Sequence, residues 1–267
     1  MILQNTERLA DYDIRPDWAE GRRPGLAACV RLKDEADWAV PSLNSIAPWC
    51  DEIVIALQGE QSDGTDVLVE DWANGRPQAR VVRYPFDSLP NGPGHGDQPV
   101  GSVFERAYFY NWTLAQTRCS HALVWDGDMV ALDSLGPLLS AAVGRRGIGL
   151  RLDGVEIAKW QHQHGQAWVS GHRPTITQIT PRLFEVSPAT YYVSGDRCEQ
   201  LNRDGLACER AAGPQFLHFK WAKPHRSIAK SWPKGWEEMP HFQRLLMRAA
   251  PGAAYEGPLP RVLAVAD

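Results

Sequence analysis

Asp126 and Asp128 stand one residue apart, with Gly127 between them, at the end of the apolar run HALVW (121–125). Two carboxylates that close repel each other, and a divalent cation relieves the repulsion; hard oxygen ligands of this kind favour Mg2+, Mn2+ or Ca2+. Mg2+ and Mn2+ commonly complete their shell with substrate phosphates. Gly127 gives the backbone freedom to turn sharply and a bulky substrate room to come close. The spacing alone decides little: Asp11-Tyr12-Asp13 has it too, with no buried strand ahead of it, and a solvated turn or helix cap also explains such a triplet.

The elements that must position the pair follow from periodicity. LAACVR (26–31), EIVIAL (52–57), ARVVRY (79–84) and HALVW (121–125) predict four buried strands. Between them, DEADWAVPSLNSIAPW carries Ala36, Val40, Leu43 and Ala47 at helical spacing, with Pro41 starting or kinking the helix, and TDVLVEDWA (65–73) predicts a second helix. SVFERAYFYNWTLAQTR (102–118) predicts a third, opened by Ser102 and Glu105 at capping-box spacing and presenting Phe104, Ala107, Tyr108, Asn111, Leu114 and Ala115 on one face. Such alternation implies right-handed crossovers and a doubly wound, mainly parallel sheet covered on both faces. The later runs GIGLRLDGVEIAKW, QAWVS and TITQITPRLFEV have little helix between them and predict a smaller mixed or antiparallel part. We therefore expect an arm (1–24), a ligand-binding half (25–150), a second half of the same domain (151–220) and a basic, Trp-rich loop and helix (221–267).

Composition narrows the function classes. The 267 residues carry a formal net charge of -4, which argues against nucleic-acid binding by the surface at large. The five cysteines form no CxxC pair and an odd number leaves at least one unpaired, which suits a reducing compartment. The first twenty residues lack the central apolar run of a secretory signal and no stretch is apolar enough to span a bilayer, so a cytoplasmic protein is expected.

The segment ACVRLKDEADWAVPSLNSIAPWCDEIVIALQGEQSDGTDVL, followed by FYNWTLAQTRCSHALVWDGDM, resembles the family 2 glycosyltransferases of the GT-A fold. The likeness covers about half the chain and rests on order: a strand carrying Arg31 into a Lys33-x-Glu35 turn, a strand ending near Asp63-Gly64-Thr65, a helix carrying Asn111, and the Asp126-Gly127-Asp128 exit of the fourth strand. It implies a nucleotide-sugar donor whose diphosphate is bound through Mn2+ or Mg2+ held by Asp128, with Asp126 nearer the ribose or sugar. The metal would stabilise the departing nucleoside diphosphate more than the ground state. His218, in FLHFKWAK, resembles the late histidine that completes the metal site in such enzymes, and Lys220 and Lys223 are candidates for the phosphate oxygens, although packed or solvated side chains explain all three as well.

The resemblance has gaps. Gln58 stands where the family usually ends its second strand with an aspartate reading the base or ribose; glutamine both donates and accepts, so the uridine expected from the likeness is not read from Gln58 itself. An inverting member needs a carboxylate to take the acceptor's proton. Family layout leaves Asp196, Glu199 and Glu209, of which Asp196 is favoured because VSGD reads as a strand exit; the alternative is a helix cap for RCEQLN. The glycine-rich segment 84–102 reads as a substrate-side loop in which His95 and Asp97 are candidates for acceptor contact. Trp221, Trp232 and Trp236, interleaved with Lys220, Lys223, Arg226, Lys230 and Lys234, suggest sugar stacking, peripheral contact with an anionic membrane surface, or a packed arm. A sugar nucleotidyltransferase or metal phosphohydrolase, and a noncatalytic nucleotide-sugar binder, remain as alternatives; the acceptor and the oligomeric state are open.

Overall fold

The computed structural model of the protein describes residues 1–88, 97–171, 173–195, 198–223 and 250–263. The chain builds β1 (Arg23–Leu32), α1 (Ala39–Ile46), β2 (Glu52–Gln58), α2 (Thr65–Ala73), β3 (Ala79–Tyr84), α3 (Arg106–Ala115) and β4 (Cys119–Asp126). Then come β5 (Met129–Ala131), α4 (Leu135–Ala142), β6 (Ile148–Gln161), β7 (Gln166–Ser170), β8 (Thr175–Thr177), β9 (Leu183–Glu185), β10 (Tyr192–Ser194), β11 (Glu199–Leu201), β12 (Ala207–His218) and β13 (Pro251–Ala254). All four predicted strands of the first half are present and parallel, in the order β3-β2-β1-β4.

Their two faces are covered by different helices, as alternation along a doubly wound strand requires. Leu26, Ala28, Val30 and Leu32 of β1 pack with Leu43 and Ile46 of α1, Val69 and Trp72 of α2 and Leu135 and Leu139 of α4. Cys29 of β1 and Ala122 and Val124 of β4 face the other way, onto Tyr108, Phe109 and Trp112 of α3. Ile14 and Trp18 of the N-terminal arm join this second cluster. Pro41 lies in the first turn of α1, where its missing N–H is tolerated.

The second half continues the same sheet, and its pairing is mixed. β9 runs antiparallel to β4 and to β6, and β7 and β13 extend the edge in antiparallel steps. β12 pairs parallel with β6 and antiparallel with β5, while β10 and β11 form a separate two-stranded ladder. The architecture is the one the resemblance implied, α/β with a parallel doubly wound part and a mixed part, joined among the described residues in one sheet of eleven strands.

Two local expectations fail. Ser102 and Glu105 form no capping box: the Ser102 hydroxyl donates to Glu7, and the Glu105 carboxylate accepts from the Gly101 N–H and the Ser194 hydroxyl. α3 accordingly starts at Arg106, and Phe104 lies outside it, exposed. Within RCEQLN, read alternatively as a helix, Glu199–Leu201 pairs as strand β11.

Candidate functional site

In the order β3-β2-β1-β4, the connections leave β1 toward β2 on one side while β4 lies on the other. Open sheets bind ligands outside the carboxyl ends of their strands at such a switch point. Here those ends are Arg31 and Asp126, which the strand register sets side by side. Arg31 donates from Nη2 to Asp126 Oδ1 at 3.2 Å, and Arg182, just before β9, donates to Oδ2 at 2.7 Å. The Arg31 guanidinium also lies on the Tyr110 ring face, 3.3 Å from its centroid. Burial would raise the Asp126 pKa, but Arg182 and Arg31 together hold it well below the usual carboxylate range.

The turn to Asp128 is tied from beneath. The Trp125 indole, fully buried, donates to the Ser42 hydroxyl and the Met129 carbonyl, and the Ser42 hydroxyl donates to the Asp126 carbonyl. Gly127 has no left-handed φ; what demands glycine is proximity, since an added Cβ would sit 2.2 Å from Leu32 Cδ2 and 3.0 Å from Glu35 Cγ. The turn expected at Gly127 is present between β4 and β5, and it requires glycine because the two strand exits pack closely there.

Asp128 is buried and has its own partners. β12 runs antiparallel to β5, setting His218 opposite Met129, and parallel to β6, setting it opposite Glu156. His218 Nε2 lies 3.2 Å from Asp128 Oδ1, and Lys223 Nζ lies 2.6 Å from Oδ2 and 2.5 Å from Glu35 Oε2. Burial would raise the Asp128 pKa, but Lys223 and His218 drive it well below the ordinary value. His218 Nδ1 is buried with no hydrogen-bond partner among the described residues, and the fully buried Glu156 carboxylate approaches it at 3.9 Å.

The structure thus brings together Arg31, Glu35, Asp126, Asp128, His218 and Lys223 of the predicted set, and adds Arg182 and Glu156. Of the other predicted residues, Lys33, Gln58, Asp63 and Asn111 make contacts in the frame around this group. Asp63 accepts from the Thr65 N–H and hydroxyl and from the Ala36 N–H, so it staples the loop after β2 to the loop after β1. Lys33 donates to the Glu60 carbonyl and pairs with Asp87 at 3.0 Å. Asn111 is buried with both ends of its amide on the Tyr192 backbone, and so pins β10 to α3. Gln58, at the carboxyl end of β2, donates to the Ser88 hydroxyl at 2.9 Å and carbonyl at 3.3 Å. Lys220 is exposed, its ammonium 5.2 Å from the Trp221 ring. Asp196, His95, Arg226, Lys230, Trp232, Lys234 and Trp236 lie outside the described residues.

Among the described residues no three His, Cys, Asp or Glu side chains form a group able to hold a metal by themselves. The Asp128–His218 pair nevertheless fits part of a shell: neighbouring ligands of an octahedral ion with bonds of about 2.1 Å lie about 3 Å apart, and Oδ1 and Nε2 are separated by 3.2 Å. No described helix is long and apolar enough to cross a membrane.

No family model matches the sequence, and no curated protein is similar to it in sequence. Solved structures similar to the chain include S. aureus TarS, at 14% identity and a TM-score of 0.46, covering 72% of this chain and 36% of that one. A TarS chain of residues 1–349 is 12% identical with a TM-score of 0.44, covering 72% of this chain and 60% of that one. Glucosyl-3-phosphoglycerate synthase from Mycobacterium tuberculosis, in complex with uridine diphosphate, is 17% identical with a TM-score of 0.31, covering 55% of this chain and 48% of that one. The chain therefore spans less than two thirds of the length of each.

Proposed function

We propose that the chain is a glycosyltransferase that takes a sugar from a nucleoside diphosphate donor, uridine being the favoured base, and passes it with inversion to an acceptor hydroxyl. The observation that carries this reading is the convergence of Arg31, Arg182, Asp126, Asp128, His218 and Lys223 on the switch point between β1 and β4. Diphosphate recognition needs fixed cationic donors, and the Asp126 carboxylate holds two guanidiniums in place, leaving other N–H donors of each fork for phosphate oxygens.

Asp128 and His218 would hold Mn2+ or Mg2+, which when bound supplies Lewis-acid neutralisation of the leaving diphosphate. With its proton on Nδ1, facing Glu156, His218 offers the Nε2 lone pair beside Asp128 Oδ1; a carboxylate behind a ligating imidazole is the usual orienting partner. Lys223 neutralises the second Asp128 oxygen and Glu35, so a like-charged trio does not face the donor. Asp196 is the carboxylate proposed to accept the acceptor's proton; it follows β10, which Asn111 anchors.

Calorimetry of the full chain against uridine, adenosine and guanosine diphosphates, with and without Mn2+, tests the reading. Uridine diphosphate should bind in a Mn2+-dependent manner, and Asp128→Asn should abolish that dependence while thermal unfolding stays cooperative. Unchanged affinity in Asp128→Asn would sink the metal assignment. Release of free nucleoside diphosphate from a donor sugar separates an enzyme from a binder, and a glycosylated product separates transfer from hydrolysis.

A further inference from the structure

Glu35, Asp128 and Lys223 meet from the exits of three strands, β1, β4 and β12. Asp34 takes a left-handed backbone with φ 52°, a conformation that aspartate tolerates and most side chains avoid. Its carboxylate accepts the Ser62 N–H at 2.6 Å, and the Glu35 N–H donates to the Thr65 hydroxyl at 2.7 Å, so the loop after β2 fixes the backbone that carries Glu35. Gly127 leaves room for the Glu35 stem, since a Cβ there would lie 3.0 Å from its Cγ and 3.2 Å from its Cβ. From the other side, the Phe219 N–H donates to the Asp128 carbonyl at 2.8 Å and the Ala222 N–H to the Phe219 carbonyl at 3.0 Å, a turn that brings Lys223 back to Asp128.

One ammonium is thereby shared by two carboxylates. Lys223 Nζ lies 2.6 Å from Asp128 Oδ2 and 2.5 Å from Glu35 Oε2, with the lysine side chain 4% exposed and the carboxylates 8% and 11%. Hard oxygens converging on one buried positive centre are also the surroundings that Mg2+ and Mn2+ take, and bonds of about 2.1 Å would need each oxygen only about half an ångström closer. Asp128 turns its other oxygen to His218 Nε2, and so stands between the imidazole and Glu35. Among the described residues these three form no metal-holding group as placed; the ammonium occupies the gap between Glu35 and Asp128.

We propose that Lys223 is a place-holding cation and Glu35 a further metal ligand: the ammonium leaves the carboxylates for the phosphate oxygens of an arriving diphosphate, and Glu35 joins Asp128 and His218 around the ion. The inference rests on the glycosyltransferase reading of this site. Lysine suits the exchange because its charge sits on a flexible four-carbon stem with three rotatable donors, so it can change partners while the backbone stays. In the free protein it compensates two buried carboxylates that would otherwise repel each other. Lys223 must give up these two ion pairs to water when an ion arrives alone, and exchanges them for phosphate contacts when a diphosphate comes with it.

Titration of the full chain with Mn2+ near neutral pH, with the free ion followed by its paramagnetic resonance signal, tests the exchange. Without nucleotide, Lys223→Met should bind Mn2+ about tenfold more tightly than wild type, the worth of one charge-assisted contact, and the double variant Lys223→Met with Glu35→Gln should lose that gain. Uridine diphosphate should enhance Mn2+ binding less in Lys223→Met than in wild type, because release of Lys223 is part of the enhancement. Glu35→Gln alone, with Lys223 in place, should weaken Mn2+ binding in the presence of uridine diphosphate about tenfold, a measurement that does not depend on whether Lys223→Met folds. Lys223→Met no tighter than wild type, or a gain that survives Glu35→Gln, overturns the exchange, and unchanged binding in Glu35→Gln overturns its role as a ligand. Should Asp128→Asn abolish Mn2+-dependent binding while these results fail, the function reading stands and only the exchange falls. Mn2+ binding by no form of the chain, with or without uridine diphosphate, overturns both.

Discussion

Asp126→Asn keeps the shape of the side chain and removes its charge, leaving Arg31 and Arg182 facing each other. The side chains of Arg31 and Arg182 are 9% and 13% exposed and that of Asp126 is 32% exposed. Removing one member of a fully buried pair costs about 3–5 kcal/mol; with a third of the carboxylate wetted and the Tyr110 ring still under Arg31, we expect about 2–3 kcal/mol, or a fall in Tm of roughly 5–10 °C. Urea unfolding at pH 7 measures the first figure and a thermal scan the second. The pH dependence supplies an independent check. The folded pKa of Asp126 is depressed, so its contribution is complete above the unfolded value of about 3.9 and is lost as pH falls through the folded one. Wild-type stability should therefore fall more steeply than that of Asp126→Asn on acidification below about pH 5, and the gap between the two should close. A variant within about 0.5 kcal/mol of wild type at pH 7, with a parallel acid limb, would mean that Asp126 is a solvated turn residue and that the paired arginines do not depend on it.

Other perturbations probe the same exit. Gly127→Ala pushes a Cβ against Leu32 and Glu35, and should cost about 1–3 kcal/mol by urea unfolding. His218→Ala should weaken Mn2+-dependent binding of uridine diphosphate roughly tenfold, with metal-free binding unchanged in calorimetry, while Glu156→Gln should reproduce part of that loss through the orientation of the ring. Lys223→Met removes the strongest attraction on Asp128, so the Asp128 pKa should rise and the acid midpoint for Mn2+ binding should move to higher pH, as followed by titration monitored by paramagnetic relaxation.

The parallel half of the fold was legible because each strand is a short apolar run bounded by turn residues. TDVLVEDWA and ARVVRY became α2 and β3 at their predicted ends. β12 escaped because its twelve residues, ACERAAGPQFLH, include Gly213 and Pro214, where its register against β6 shifts; a glycine–proline break inside a strand reads as a loop. Arg182 had no local signal either. It reaches Asp126 only because β9 turns back antiparallel beside β4, a pairing that periodicity does not encode. Glu156 did leave one: a carboxylate between Val155 and Ile157 in a buried strand is costly unless something compensates it. The capping-box spacing at Ser102 misled because side chains of Glu7 and Ser194, distant in sequence, outcompeted the local partners.

Why the chain places two like charges at one turn then has an answer in how they are divided. Asp126 faces guanidiniums from β1 and from the start of β9, while Asp128 faces an imidazole from β12 and the Lys223 ammonium, so each carboxylate organises a different set of cations. Among the described residues at this exit, the carboxylates Asp126, Asp128, Glu35 and Glu156 outnumber the permanent cations Arg31, Arg182 and Lys223. A diphosphate arriving alone therefore enters a field that is slightly negative overall, and a divalent ion arriving alone has the Asp128–His218 pair but lacks the phosphate oxygens that would complete its shell. Each should bind weakly by itself and more tightly in the presence of the other, by a factor that linkage requires to be the same from either side. We expect about ten- to hundredfold mutual enhancement between Mn2+ and uridine diphosphate, read by titrating each at several fixed concentrations of the other. Independent binding of the two would refute the charge argument, because it would mean that the arginines alone suffice for the phosphates.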